Sequence, residues 1–139
     1  MEEAVYASVT YAAPCGECGA ELECHGVQAL VGRRLRWDVE LVCWACGFEL
    51  AVCGGDLPPE RRAQLLARHG ATALRVSGPG ASAVAVLRVV RAELGLDLAA
   101  AKLMARRVLD GKCSGTLPEM ERLARALRTH GVPATVAGQ

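Results

Sequence analysis

Seven cysteines in 139 residues are the side chains of this sequence best able to do chemistry, and six of them fall before residue 54. Two pairs share one spacing, Cys15-Gly16-Glu17-Cys18 and Cys43-Trp44-Ala45-Cys46, and a glycine follows each, Gly19 and Gly47. A Cys-x2-Cys turn lets two thiolates converge on one ion, and the glycine permits the positive φ that aims backbone N–H groups at the sulfurs. Two such turns supply four thiolates, the number that closes a tetrahedral zinc site and leaves no open position for a water. The expectation is therefore a structural Zn2+ held by Cys15, Cys18, Cys43 and Cys46. In so small a unit, zinc binding adds directly to the folding free energy. A thioredoxin-like redox pair is the weaker reading, because neither pair sits between a buried strand and a helix.

The remaining cysteines are less defined. Cys24 and Cys53 follow the two turns at nearly matched spacings. They read either as plain buried thiols, as a labile disulfide between neighbouring strands or, with His25, as an alternative ligand set. Cys113 stands alone as packing material near a strand, with no base such as His69 or His130 placed beside it.

These residues need elements to position them. The 24 residues between the cysteine pairs suffice for a hairpin. Glu21–Gln28, Arg34–Val42 and Phe48–Val52 read as short strands from their β-branched and aromatic content. The whole stretch 13–54 resembles a zinc ribbon, within a first unit spanning 1–57. Pro58, Pro59 and Glu60 open a connecting helix over 58–70, ended by Gly70. From Ala71 the order reads strand (73–77), helix (81–94), helix (98–109), short strand (112–115), helix and strand (132–137). Gly78-Pro79-Gly80 is the turn after the first strand, Asp97 caps the second helix, and Thr116-Leu117-Pro118-Glu119 is a capping box for the third. Helices on one face of a small antiparallel sheet make 71–139 an α+β unit.

Within that unit, Val84-Ala85-Val86-Leu87-Arg88-Val89-Val90-Arg91 and Gly95-Leu96-Asp97-Leu98-Ala99-Ala100-Ala101-Lys102 resemble the C-terminal domain of the bacterial ribosomal stalk protein, over residues 72–137. The resemblance implies a helix pair that recruits translational GTPases through apolar residues flanked by basic ones; the matching positions are Val84, Leu87, Arg88, Arg91 and Lys102. Two positions that are usually lysine in that family are Ala83 and Ala99 here, and the family's dimerisation region and hinge are replaced by the cysteine unit. The helix periodicity speaks independently of the resemblance. Val86, Val89 and Val90 share one face with Leu94 at its edge, while Val84 and Leu87 lie away from it beside the two arginines. Apolar residues framed by Arg suit a protein-docking spot, or else a patch covered by the first unit.

Charge divides the chain. Residues 1–57 hold nine acids against three Arg and residues 58–139 hold thirteen basic residues against six acids, nets of −6 and +7 around an overall +1. Such halves either face different partners or attract each other. No apolar run approaches the roughly 20 residues of a membrane helix. The acidic start Met1-Glu2-Glu3 is unlike a secretory leader, so the expected location is cytoplasmic.

Catalysis has little to build on: paired carboxylates, a triad order, a phosphate-binding glycine loop and an open metal position are all missing, and His25, His69 and His130 are scattered. Nucleic acid is disfavoured as a partner by the acidity of the first unit, where only Arg33, Arg34 and Arg36 cluster and Trp37, Trp44 and Phe48 are the aromatic candidates. The expectation is a non-catalytic, zinc-stabilised module that binds a protein through the stalk-like helices, the acidic cysteine unit, or both. One version is a translation-associated factor engaging a GTPase or ribosome. The other is an immunity protein or antitoxin, with Glu21, Glu23 and Glu40 covering a basic toxin.

Overall fold

The computed structural model describes residues 3–78 and 80–138; Pro79, the centre of the expected Gly78–Gly80 turn, lies outside them, as do Met1, Glu2 and Gln139. The chain is α+β and forms two compact units, Met1–His69 and Gly70–Gln139.

The first unit is a four-stranded antiparallel sheet in the order β1-β2-β3-β4, formed by β1 (Val5–Pro14), β2 (Glu21–Val31), β3 (Arg34–Val42) and β4 (Glu49–Gly55), followed by helix α1 (Pro59–His69). The sequence reading has three strands here and misses β1. Its β-forming residues Val5, Val9, Thr10 and Tyr11 are diluted by alanines, and apolar Tyr6 and Ala12 stand on the opposite face from Ala7 and Val9, which blurs the period-2 pattern. In the sheet the alternation is plain: Val9 pairs with Gly26, Tyr11 with Cys24 and Ala13 with Leu22.

Helix α1 belongs to this first unit. Leu65 is buried in a cluster with Ala7 and Trp37. His69 Nε2 donates to the Ser8 carbonyl at 2.7 Å, and the Arg61 guanidinium stacks 3.6 Å from the Tyr11 ring centroid. Trp37 reaches its buried place by lying across Gly26 on the neighbouring strand, where an added Cβ would overlap the indole ring. Glycine is needed there for close approach, not for a special φ.

In the second unit the order is β5 (Thr72–Val76), α2 (Ala83–Leu94), α3 (Leu98–Leu109), β6 (Ser114–Gly115), α4 (Leu117–Thr129) and β7 (Ala134–Gly138), with strand order β6-β5-β7, both pairings antiparallel. This is the strand–helix–helix–strand–helix–strand sequence expected. Its local grammar is visible in the caps: Ser82 Oγ accepts from Ala85 N at 3.1 Å and Asp97 Oδ1 from Ala100 N at 2.8 Å. Thr116 and Glu119 close a reciprocal capping box at 3.3 and 3.0 Å. The core joins Leu74 of the sheet to Val86 and Val90 of α2, Val108 of α3 and Leu127 of α4, all fully buried. Each such side chain contributes about 1.5–3 kcal/mol by leaving water.

Cys113 is packing material, as expected. It is buried with its sulfur 3.9 Å from those of Met104 and Met120, and burial pushes its thiol up from the ordinary range. Helix α4 is further tied down by Arg122 to Glu93 at 3.1 Å and by Glu121, which accepts from both Arg125 and Arg128. Among the described residues, no helix is long and apolar enough to cross a membrane.

Candidate metal centre and helix groove

The two cysteine turns are built alike. In the first, Cys15 N donates to Ala20 O at 2.7 Å and Gly19 N to Cys15 O at 2.9 Å; in the second, Cys43 N donates to Phe48 O and Gly47 N to Cys43 O, both at 2.8 Å. Gly19 and Gly47 take φ values of 77° and 79°. Those left-handed residues close each turn at no steric cost. The first turn joins β1 to β2 and the second joins β3 to β4, so the hairpin β2–β3 between them, with Glu23 opposite Val42 at its end, brings both turns together.

The four sulfurs of Cys15, Cys18, Cys43 and Cys46 lie within 4.8 Å of one another and are positioned to hold a metal ion. Across the two turns, Cys15 and Cys46 are 3.9 Å apart and Cys18 and Cys43 are 3.6 Å apart. A tetrahedron of thiolates with metal–sulfur bonds of about 2.3 Å has edges of about 3.8 Å, so the donor set fits zinc in both chemistry and size. Cys15 and Cys43 are buried while Cys18 and Cys46 are exposed.

The backbone already prepares one ligand for its ionised form. The Cys46 N–H, with that of Ala45, points at the Cys43 sulfur and lowers its pKa from the ordinary 9.0 to about 7. The Phe48 N–H acts in the same sense on Cys46 and is the largest single influence there, but the Cys43 thiol, burial and the Cys18 and Cys15 thiols together outweigh it and Cys46 is raised to about 12. Cys18 also rises, against the lowering effect of the Ala20 N–H, with Cys43 the main opposing neighbour. Four thiolates this close repel one another, and a divalent cation is the group that relieves that repulsion.

Cys24 and Cys53 require a correction. They do not face each other: Cys24 lies on β2 opposite Leu41, Leu41 lies opposite Leu50 on β4, and Cys53 is three residues further along that strand. Strand β3 separates them, a lateral gap of about 10 Å with a similar offset along the strands, beyond the roughly 7 Å that a disulfide spans between Cα atoms. Cys24 is fully buried, beside Leu22, Cys15 and Cys43, and Cys53 is an exposed thiol on the outermost strand. His25 projects from the opposite face, 3.5 Å from Glu23, and neither it nor Cys24 joins the four-sulfur cluster. His69 and His130 stay apart as well; His130 Nδ1 donates to Ala126 O at 2.9 Å.

In the second unit, α2 and α3 flank a groove of about 350 Å³. Of the five positions marked for partner binding, Val84, Leu87 and Lys102 line it; Arg88 and Arg91 are exposed on α2 but do not contribute to its lining. Val84 is 60% exposed, whereas Leu87 is half-buried against the core. Sequence reasoning missed the α3 contribution, Ala105, Arg106 and Leu109. Their spacing from Lys102, at three, four and seven residues, was the available clue to a shared helix face. Comparison with protein families, with curated proteins and with solved structures finds no match to this chain.

Proposed function

We propose that this protein is a non-catalytic protein-binding module whose first unit is stabilised by structural zinc and whose α2–α3 groove receives a segment of a protein partner. The observation behind this reading is Val84, an aliphatic side chain 60% exposed at the lip of an apolar groove. Burying it against a partner would contribute about 1–2 kcal/mol, and Lys102 and Arg106 beside it supply the basic rim that fixes orientation. Four thiolates saturate a tetrahedral zinc, so the metal's role in this reading is to hold the fold. The stalk resemblance makes a translational GTPase the first partner class to test. The exposed carboxylates Glu21 and Glu40 favour a second reading, an inhibitor that covers a basic toxin.

Capture from native lysate with tagged protein, analysed by mass spectrometry, separates the two. A GTPase recovered with the wild type and lost with Val84→Asp supports the first. A basic partner lost with Glu21→Lys/Glu40→Lys and retained by Val84→Asp supports the second. A partner set unchanged in both variants overturns the groove and the acidic surface alike.

A further inference from the structure

At the cysteine end of the first sheet, Ala12, Glu23, Val42 and Glu49 stand level across the four strands. Strand alternation turns them away from Tyr11 and Val39, which pack toward Leu65 on the other face. Trp44, in the second cysteine turn, reaches over this row. Its Nε1–H donates to Glu23 Oε2 at 2.7 Å, yet the ring is 79% exposed. A hydrogen bond at its edge fixes the direction of an indole whose faces stay open, so a π surface is free to receive a group. With Thr10, Ala12, Glu21 and Glu23 it lines an open concavity of about 450 Å³.

The charge around this concavity has one sign. Lys and Arg are absent from residues 1–32 and 37–60, and Arg33, Arg34 and Arg36 lie at the β2–β3 turn, the far end of the strands. Glu17, Glu21, Glu40 and Glu49 are exposed, and among the described residues none of these four carboxylates has an ion-pair partner. Glu23 is engaged by Trp44 and by His25 at 3.5 Å, so it positions the indole and leaves Glu21 as the lining carboxylate that can meet a ligand. Four thiolates also outnumber the charge of a divalent ion, which makes the adjacent metal centre anionic when filled.

We infer that this concavity receives an arginine side chain from a basic segment of a protein partner, its guanidinium stacked on the Trp44 ring and hydrogen-bonded to Glu21. This rests on the acidic-surface reading above and names the group that the surface recognises. A planar cation answers both features at once: it stacks on an aromatic face and donates two N–H groups to one carboxylate, where an ammonium acts as a point charge. A methylated ammonium calls for several aromatic walls, and the second ring at this pocket, Tyr11, is already stacked against Arg61 at 3.6 Å. A small free cation would stay largely in water in so open a site. A peptide instead brings further cations to Glu17, Glu40 and Glu49, while the same carboxylates repel the phosphates of a nucleic acid.

Titration of the metal-loaded full chain with a Gly-Arg-Gly-Arg-Gly peptide, read by anisotropy of a fluorescein label and by tryptophan emission, tests this. The expected result is saturable binding that quenches exposed Trp44 and spares buried Trp37, with the lysine counterpart several-fold weaker. Trp44→Ala should weaken the arginine peptide about fivefold and Glu21→Gln about tenfold, whereas Trp44→Phe keeps part of the affinity. Metal content and circular dichroism of each variant confirm that the second cysteine turn is intact. The inference is overturned by no binding at millimolar peptide, by equal binding of the arginine and lysine peptides, or by a Trp44→Ala variant that binds as the wild type does. Tighter binding of a single-stranded oligonucleotide overturns it as well. Failure of the pocket and failure of the acidic-surface reading differ: the first is peptide binding lost with Glu21→Lys/Glu40→Lys but spared by Trp44→Ala, the second is lysate capture indifferent to Glu21→Lys/Glu40→Lys.

Discussion

Cys18 and Cys43, 25 residues apart in the chain, bring their sulfurs to 3.6 Å, an exposed thiol from one turn against a buried thiol from the other. The second turn is also anchored through the adjacent residue: the Trp44 indole Nε1–H donates to Glu23 Oε2 at 2.7 Å, while the ring stays 79% exposed. The four-sulfur cluster is thus closed by contacts of each turn with distant parts of the sheet, and its disruption should be felt there.

Replacing Cys18 or Cys43 by serine is expected to lower metal content from one ion per chain to near zero after dialysis. Far-UV circular dichroism of the first unit should fall with it, because metal binding and folding are coupled. Cys53→Ser, which lies outside the four-sulfur cluster, should leave both unchanged. Loss of metal in Cys53→Ser would place that thiol in the ligand set.

Metal occupancy should fall as pH drops, since binding requires thiolates and releases protons. In the metal-free chain the two perturbed ligands act oppositely. Cys43, lowered to about 7, contributes stability that is present above pH 9 and lost as pH falls through 7. Cys46, raised to about 12, contributes stability that is present below pH 9 and lost as pH rises through 12. Zinc titrations at pH 6 and pH 8 should therefore show weaker binding at about the lower value. Equal affinity at both would mean that the thiols do not ionise on binding.

Gly26→Ala is expected to destabilise the first unit by about 1–3 kcal/mol, the usual cost of overpacking. The added methyl would overlap the Trp37 ring, a rigid group that can yield only by leaving its buried seat. Urea unfolding followed by tryptophan fluorescence reads both the midpoint and the native-state emission. An unchanged midpoint would show that Trp37 finds an equivalent position.

Thr116→Ala removes the hydroxyl half of the α4 capping box, leaving the backbone N–H of residue 116 to donate to Glu119, and should lower the stability of the second unit by about 1 kcal/mol. Because the Thr116 side chain is buried, no water replaces the lost acceptor fully. Thermal unfolding of the metal-loaded chain, compared with Thr116→Ser, separates the hydroxyl from the methyl. If alanine and serine behaved alike, the hydroxyl cap would contribute nothing.

Local rules were legible where one stretch of chain suffices. The Cys-x2-Cys-Gly turns, the caps at Asp97 and Thr116 and the apolar face Val86, Val89 and Val90 are each set by residues within one turn or one helix, and the structure holds them as read. Strand β1 was not legible, because alanines on one face and apolar Tyr6 and Ala12 on the other erase the alternation that marks a strand. The Cys24–Cys53 pairing failed for a different reason: matched distances from two motifs in sequence say nothing about which strands are neighbours.

By itself the sequence determined the ligand chemistry and the order of elements, since thiolate number, glycine placement and helix periodicity are short-range properties. Only the tertiary structure decided that Cys24 and Cys53 stay apart, which face of the sheet α1 covers, and that Lys102, Ala105 and Leu109 meet Val84 across a groove. Those relationships depend on strand register and helix packing, which are fixed by the sum of many distant contacts and not by any one motif.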